Sequence, residues 1–365
     1  MIAPRGSRFV GVEARLVEAL QPIRGFALAS SLQHLFALGL YDLLNDRSST
    51  GMTAAQISVE RSWEPARVRQ LLFFLTCEGV LERSGETYGL SPKAHAIAEF
   101  RSWYEMLIGG YGETFLQMGE KLSLGSSAAS RNGLAVGRGS CGISFFDSIP
   151  MVEELLSVIE QPVKLILDLG CGSAAYLTTL CTKRPELRCV GVEPDSGAFA
   201  AAEQEVTNAG LSDRINLVQL GCLDFVESGN CTPDVTLLAF VIHEILGQEG
   251  RSGVERLLGS IFAAAPDSYL IVVDINYKSD ETAPMRHALA TAYYNSYFLL
   301  HPFTSQRLER DIYWEDLFDA LGLEIVARAS ADPDMDSTGF PCGWLLRCRY
   351  AATRIGPGEV RAEDS

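Results

Sequence analysis

Two carboxylates flank a glycine-rich turn at the spacing of a nucleoside site. Val163-Lys-Leu-Ile-Leu-Asp168-Leu-Gly170-Cys-Gly172-Ser173 carries an apolar strand into a turn, and roughly twenty residues later Cys189-Val-Gly-Val-Glu193-Pro-Asp195 ends a second apolar strand in an acid. In a βαβ unit such glycines let the backbone approach a ligand, and the acid accepts hydrogen bonds from ribose hydroxyls. The next helix continues Ala174-Ala175-Tyr176, so the third glycine of a pyrophosphate loop is missing and a dinucleotide is disfavoured. A second set of reactive types follows. Val235-Thr-Leu-Leu-Ala-Phe-Val-Ile242 reads as a strand running into His243-Glu244, where a general base or a metal ligand would face a nucleoside held at the strand ends. His301 closes a segment in which Tyr293, Tyr294, Tyr297 and Phe298 recur at helical spacing, a pattern that suits core packing or a pocket wall.

The elements that must position these groups are alternating strands and helices. Strands are expected near 163–168, 189–193, 215–219, 234–242 and 268–274 with helices between them, which predicts a parallel sheet covered on both faces. Segments 322–329 and 342–350 are expected to close one edge as an antiparallel pair. Residues 1–100 read as mostly helical. Thr53 caps a helix, a second helix runs from Glu64 to Val80, and Leu81 to Ser91 is a hairpin with a Ser-Gly turn. Two helices and a hairpin make a winged-helix pattern. The second helix nevertheless presents Leu71, Leu72, Phe73, Phe74 and Leu75 beside Arg67 and Arg69, more apolar than basic. Residues 101–158 read as connecting helices broken by a Gly/Ser-rich loop from Leu124 to Gly142 that holds Arg131 and Arg138. Residues 159–350 form the nucleoside-binding domain, and 351–365 a disordered tail.

Composition narrows the function. The chain has 365 residues, 47% of them hydrophobic and 21% charged, which suits a soluble enzyme of two domains. Its net charge of −16 opposes a nucleic-acid partner, because phosphate contact needs clustered Lys and Arg. No apolar run is long enough to span a membrane and no signal peptide is evident. The nine cysteines include no Cys-x-x-Cys pair and read as reduced thiols of a cytoplasmic protein.

The turn Asp168-Leu-Gly170-Cys-Gly172 resembles the first motif of class I S-adenosylmethionine-dependent methyltransferases, with their Rossmann-like sheet. The resemblance implies that the turn passes the methionine part of the cofactor and that Glu193 holds the ribose diol. Gly221-Cys222-Leu223-Asp224-Phe225 then stands where such enzymes carry an acid at the adenine. Cys222 takes the usual place of the acid, and Asp224 is either its replacement or a helix cap. In plant-type O-methyltransferases a His at the position of His243 is a general base followed by Asp-Trp, which this chain lacks.

Along nearly its whole length the chain resembles the C-methyltransferases that act on the β-carbon of α-keto acids. The likeness is carried by Gln21-Pro-Ile-Arg24-Gly-Phe26, Met106-Leu-Ile-Gly-Gly-Tyr111, Arg138-Gly-Ser-Cys-Gly142, Phe240-Val-Ile-His243-Glu244-Ile-Leu-Gly-Gln-Glu249 and His301-Pro-Phe-Thr-Ser-Gln-Arg307-Leu308. It implies a homodimer formed through the winged-helix domain, and one metal ion, zinc or iron, held by His243 and His301. A carbon acid is a poor nucleophile until its proton is removed, and a metal chelated by carboxylate and keto oxygens would stabilise the enolate. Glu244 is then a third ligand, a partner of the ligands or the enolising base, and His287 is a spare ligand. The substrate carboxylate calls for an arginine, Arg131 or Arg138 ahead of Arg24 and Arg307. Trp103, Tyr293 and Tyr297, with Phe145 and Phe146, would line an apolar pocket for a branched aliphatic or aromatic keto acid, and Glu105 or Glu113 would meet a guanidino side chain. The substrate expected is an aliphatic keto acid such as 4-methyl-2-oxovalerate or else 2-ketoarginine, with nothing in the sequence choosing between them. The alternatives are a metal-independent O-methyltransferase using His243 as base, and a winged-helix regulator with a vestigial cofactor domain.

Overall fold

The computed structural model describes residues 11–349, so the tail expected at 351–365 lies outside the described residues. The chain divides into two compact units between Gly110 and Tyr111, ten residues beyond the expected boundary. The segment read as connecting helices is therefore shared between them.

The N-terminal unit begins with α1 (Val12–Ala19), α2 (Gln21–Ala37) and α3 (Leu40–Asp46). Helix α4 (Ala54–Arg61) starts in a reciprocal cap. Thr53 Oγ1 accepts from the Gln56 N–H at 3.2 Å, and Gln56 Oε1 accepts from the Thr53 N–H at 2.8 Å. Helix α5 (Pro65–Cys77) opens on Pro65 with the Glu64 carboxylate accepting from the Arg67 N–H. Strands β1 (Met52–Thr53), β2 (Leu81–Ser84) and β3 (Thr87–Leu90) form a sheet in the order β1-β3-β2. This is the winged-helix arrangement, closed over Leu35, Leu44, Ile57, Leu72, Leu75 and Val80. Two further helices, α6 (Pro92–Ala98) and α7 (Arg101–Tyr104), complete the unit with a π-helical turn, Glu105–Gly110.

The second unit is built on seven strands. β4 (Leu165–Leu169), β5 (Arg188–Val192), β6 (Ile215–Val218), β7 (Val235–Ala239) and β8 (Tyr269–Ile275) are parallel, and β10 (Pro341–Cys348) runs antiparallel between β8 and the edge strand β9 (Leu323–Ser330), in the order β6-β5-β4-β7-β8-β10-β9. Central strands such as β4 and β8 are buried beyond their first residues, as strands covered on both faces must be. One core, around Leu155, Leu177 and Leu345, covers one face, and another, around Leu246, Trp314 and Trp344, covers the other. The chain steps from β4 outward to β6 and then returns to β7 on the other side of β4, so the ends of β4 and β7 meet at the topological switch point.

The helices of this unit are α8 (Gly112–Lys121), α9 (Gly133–Ser144), α10 (Ser148–Ser157), α11 (Ala175–Lys183), α12 (Ser196–Asn208), α13 (Cys222–Glu227), α14 (Ile242–Ala264), α15 (Asn295–Leu300) and α16 (Asp311–Ala320). Two expectations are corrected. The Gly/Ser-rich loop ends at Asn132, whose side chain caps α9 by accepting from the Ala135 N–H. Small residues read as a loop, yet they let α9 pack tightly, with Gly139 and Val136 buried. The strand before His243 ends at Ala239, and Ile242 already belongs to α14. The aromatic segment is helical as expected, a π-helical turn, Ala290–Tyr294, running into α15.

Candidate active site

The nucleoside cradle is made largely by backbone. The Gly170 and Cys171 N–H groups donate to Val192 O, which ties the turn after β4 to the end of β5. Glu193 accepts from the Gly172 N–H through Oε2 at 3.0 Å and from the Asp195 N–H through Oε1 at 2.9 Å, so the carboxylate is held in one orientation. Gly170 has φ +79°, and a Cβ there would stand 2.6 Å from Val241 Cγ2. This residue both makes the turn and admits the neighbouring turn that leads to His243.

Asp168, at the end of β4, is buried, and its Oδ2 has no hydrogen-bond partner. Burial, with the charge of Glu193, pushes its carboxyl up to about 8. Burial raises Glu193 too. Two crowded acids with an orphan oxygen suit a ligand that brings hydroxyls and positive charge. Cys222 begins α13, and its thiol is pushed up to about 12 by burial and by the carboxylates of Glu193 and Asp168, which puts it on the cradle side. Leu223 is half-buried beside it, whereas Asp224 is exposed in the first turn of α13, where an acid favours the helix end.

A second, side-chain pocket lies at the end of β7. Phe240 takes φ +59°, uncommon for a non-glycine residue, and turns the chain sharply so that His243 enters in the first turn of α14. The rings of His243 and His301 are both buried, with centroids 5.9 Å apart. His243 Nδ1 lies 2.8 Å from Asp274 Oδ1 on β8, and His301 Nδ1 lies 2.7 Å from Tyr297 O. His301 Nε2 is buried without a partner. Burial lowers the pKa of His243, but the Asp274 carboxylate outweighs it and the net shift is upward. His301 is lowered to about 3 by burial and by His243, so it stays neutral.

Arg131 and Glu244 pair at 3.0 Å beside these rings. Burial alone would raise Glu244, yet Arg131 holds it below the usual carboxylate range. The Arg131 loop is pinned by Thr114 Oγ1 donating to Ser130 O and by Gln117 Oε1 accepting from the Ser130 N–H. Gln306 bridges the pocket: its Oε1 accepts from Tyr111 OH at 2.8 Å and its Nε2 donates to Glu244 Oε1 at 2.8 Å. The 305–306 backbone crosses Gly247 so closely that a Cβ there would meet Ser305 O at 2.1 Å.

Of the residues singled out from sequence, His243, Glu244, His301 and Arg131 converge here, and the Tyr297 ring packs 4.1 Å from His301 with Tyr293 behind it at 5.7 Å. Others do not. Arg138 is exposed on α9, Arg307 pairs with Glu309, and Arg24 pairs with Glu78 in the N-terminal unit. His287 uses its two nitrogens on Ser337 Oγ and the Leu289 N–H, so it offers no free donor. Glu113 and Phe145 are exposed, while Trp103 and Glu105 belong to the N-terminal unit. Among the described residues no group of three or more His, Cys, Asp and Glu could hold a metal ion. Glu244, held by Arg131 and Gln306, does not complete a donor set with the histidines, so what remains is an imidazole pair with one orphan nitrogen. The sequence assigns no role to Asp274, and Tyr111 and Gln306 stand there only within the motifs that carry the resemblance. The only signal of Asp274 was a carboxylate ending an otherwise apolar strand.

Nucleoside cradle, switch-point pocket and seven-stranded sheet define a class I methyltransferase. The fold is shared with an O-methyltransferase family protein from Burkholderia thailandensis, with a TM-score of 0.64 at 16% identity over 91% of this chain and 98% of that one. It is shared also with mitomycin 7-O-methyltransferase, with a TM-score of 0.63 at 16% identity over 93% and 99%. No protein-family model matches the chain. Its sequence is 39% identical over 352 residues to 2-ketoarginine methyltransferase of Streptomyces arginensis, covering 94% of this chain and 99% of that protein. It is 25% identical over 257 residues to indolepyruvate C-methyltransferase of Streptomyces griseus, covering 68% and 73%. The chain belongs to the S-adenosylmethionine-dependent α-keto acid C-methyltransferase family and is a methyltransferase that uses S-adenosylmethionine.

Proposed function

We propose that the enzyme transfers a methyl group from S-adenosylmethionine to the β-carbon of an α-keto acid with a guanidino side chain, giving a precursor of a β-methyl amino acid. The observation that carries this reading is the buried pairing of His243 with His301 next to Arg131, at the end of the strand beside the nucleoside cradle. Glu193 and the 170–172 turn would hold the cofactor, with Cys222 and Leu223 on the adenine side. Arg131 would take the substrate carboxylate with the part of its planar fork that Glu244 does not occupy. Loss of the β-proton to a nearby base, Glu244 or His243, leaves an enolate. Its β-carbon attacks the sulfonium methyl in line as the carbon–sulfur bond breaks, and S-adenosylhomocysteine leaves.

The orphan Nε2 of His301 and the facing ring of His243 fit a divalent metal, zinc or iron, with two imidazole donors and its other positions open to substrate oxygens or water. Bound there, such an ion would supply Lewis acidity to the keto group.

The guanidino preference draws on the Streptomyces arginensis relative and on Asp147. This carboxylate is buried, bonded through Oδ1 to Ser148, and raised to about 6 by burial, with a further contribution from Asp336. It lies near enough to Tyr293 for its charge to act on that hydroxyl. An acid that caps α10 through Ser148 but has no ion pair among the described residues would suit a cationic chain end. The N-terminal unit would serve as a dimerisation domain, in keeping with exposed Leu16, Val17, Leu20, Ile23 and Phe26 on and between α1 and α2. No helix among the described residues is long and apolar enough to cross a membrane.

A second reading, O-methylation of a phenol with His243 as base, draws on the His243–Asp274 pair. The test is mass spectrometry of products from a panel of α-keto acids and catechols, with and without chelator. A methyl gain on a guanidino keto acid that chelator abolishes is expected. A chelator-insensitive gain on a catechol alone would overturn the proposal.

A further inference from the structure

Both ring nitrogens that face the pocket must present lone pairs if the imidazoles are to bind an electrophile or take a proton, and a neutral imidazole has one lone pair to place. For His301 the backbone decides. Tyr297 O can only accept, so Nδ1 carries the hydrogen and Nε2 is bare. For His243 the decision falls to side chains. Asp274 Oδ1 accepts from His243 Nδ1 at 2.8 Å, and it also accepts from the Ile275 N–H, an arrangement that fixes the carboxylate on β8.

The opposite side of the ring gives an independent reading. Gln306 Nε2 donates to Glu244 Oε1, a carboxylate oxygen that can only accept, while Oε1 accepts from Tyr111 OH at 2.8 Å, so the amide cannot be reversed. The Gln306 Nε2, a donor to Glu244 Oε1 at 2.8 Å, therefore lies 3.3 Å from His243 Nε2 and requires that nitrogen to accept. Two partners on opposite sides of one ring demand the same tautomer.

We propose that Asp274 is a positioning residue that locks His243 as its Nδ1–H tautomer, so that the Nε2 lone pair of His243 joins that of His301 on one pocket, with Gln306 holding the place of the ligand at His243. The lock serves a metal site and a general base alike, so it does not depend on which mechanism the pocket supports. A carboxylate behind an imidazole raises its basicity and fixes its orientation in either case. An Nε2–H ring would turn a hydrogen toward the ligand.

The test is nitrogen-15 NMR of histidine-labelled full-length protein, without substrate or metal, with His243 assigned by its loss in His243→Asn. The wild-type ring is expected as the Nδ1–H form, and an Nε2–H ring would overturn the proposal without any variant of Asp274. Asp274→Asn would keep its amide oxygen on both the Ile275 N–H and Nδ1, so the informative variant is Asp274→Leu, which leaves Nδ1 without an acceptor. The Nδ1–H form is then expected to lose its dominance, kcat to fall about 10²–10⁴-fold with the KM for S-adenosylmethionine unchanged, and zinc affinity, read by competition with a coloured chelator, to fall about 10–100-fold. Retention of both tautomer and rate in that variant would refute the role. Gln306→Leu should keep the Nδ1–H form, and reversal there would assign the control to Gln306 instead. A wild type that takes no zinc but shows the Nδ1–H ring would reject the metal reading and leave the lock standing.

Discussion

The nucleoside cradle and the histidine pocket stand side by side at the ends of β4 and β7, yet they are built on different principles. The cradle is local. Backbone N–H groups of 170–172, two glycines of positive φ and one acid at the neighbouring strand end make it, and most of its hydrogen bonds run through the main chain. The pocket is assembled from side chains far apart in sequence: Tyr111, Arg131, His243 and Glu244, Asp274, His301 and Gln306. A backbone cradle tolerates side-chain change and holds a cofactor common to many reactions. A pocket of mutually dependent side chains tolerates little, and it is where one reaction is distinguished from another.

That contrast should break most visibly at His301. His301→Ala removes an uncharged nitrogen donor from the pocket and should lower kcat by about 10²–10⁴-fold, while isothermal titration should find S-adenosylmethionine binding unchanged. If cofactor affinity falls equally, the two sites are not separate. Glu193→Ala is the reverse case. Losing the acid proposed to accept from the ribose hydroxyls should weaken cofactor binding about 10–100-fold, with kcat at saturating cofactor close to wild type in a titration of initial rates. Arg131→Gln should raise the KM for the keto acid about 10–100-fold by loss of a charge-assisted pair, and should also release Glu244 toward the ordinary carboxylate range.

Asp147 sharpens the comparison by side chain and by pH. Its carboxyl is raised to about 6, so it becomes ionised as pH rises through that value and only then meets a guanidinium as an anion. The KM of a guanidino keto acid should therefore fall as pH rises through 6 and level off above it. Asp147→Asn should abolish that dependence and raise the KM about 10-fold, while 4-methyl-2-oxovalerate is unaffected. The same upward shift means that ionising Asp147 costs the empty fold stability as pH rises from the ordinary carboxylate range through 6. The asparagine variant should thus melt no lower than wild type at neutral pH. Arg138→Ala should change least, staying within a factor of two in kcat/KM, because the side chain is exposed on α9.

The cradle was legible in the sequence because its chemistry is contiguous: strand, glycine turn, helix, strand and acid follow one another within 163–195. His243 was legible from its place after a strand, but its pairing with His301 as a metal site rested on family resemblance, since nothing in periodicity brings the two together across the 58 positions that separate their numbers. Asp274 and Gln306 carried no assigned role for the same reason. Their roles exist only once β8 lies beside β7 and once Gly247 lets the 305–306 backbone cross α14. Arg138 and α9 show the opposite error: a run of small residues reads as a loop until a packed neighbour, here Cys141 against Gly172, makes smallness useful. The pairing of β9 with β10 at one edge of the sheet was readable because alternating short runs near the end of an α/β chain leave few other places to go.

The central claim is that the methyl group lands on carbon. It is tested most directly by carrying out the reaction with cofactor labelled with carbon-13 in its methyl group and recording the NMR spectrum of the product of a guanidino α-keto acid. A labelled methyl coupled to a β-carbon bearing a single remaining hydrogen is the predicted result. A labelled methyl bonded to oxygen or nitrogen would contradict it.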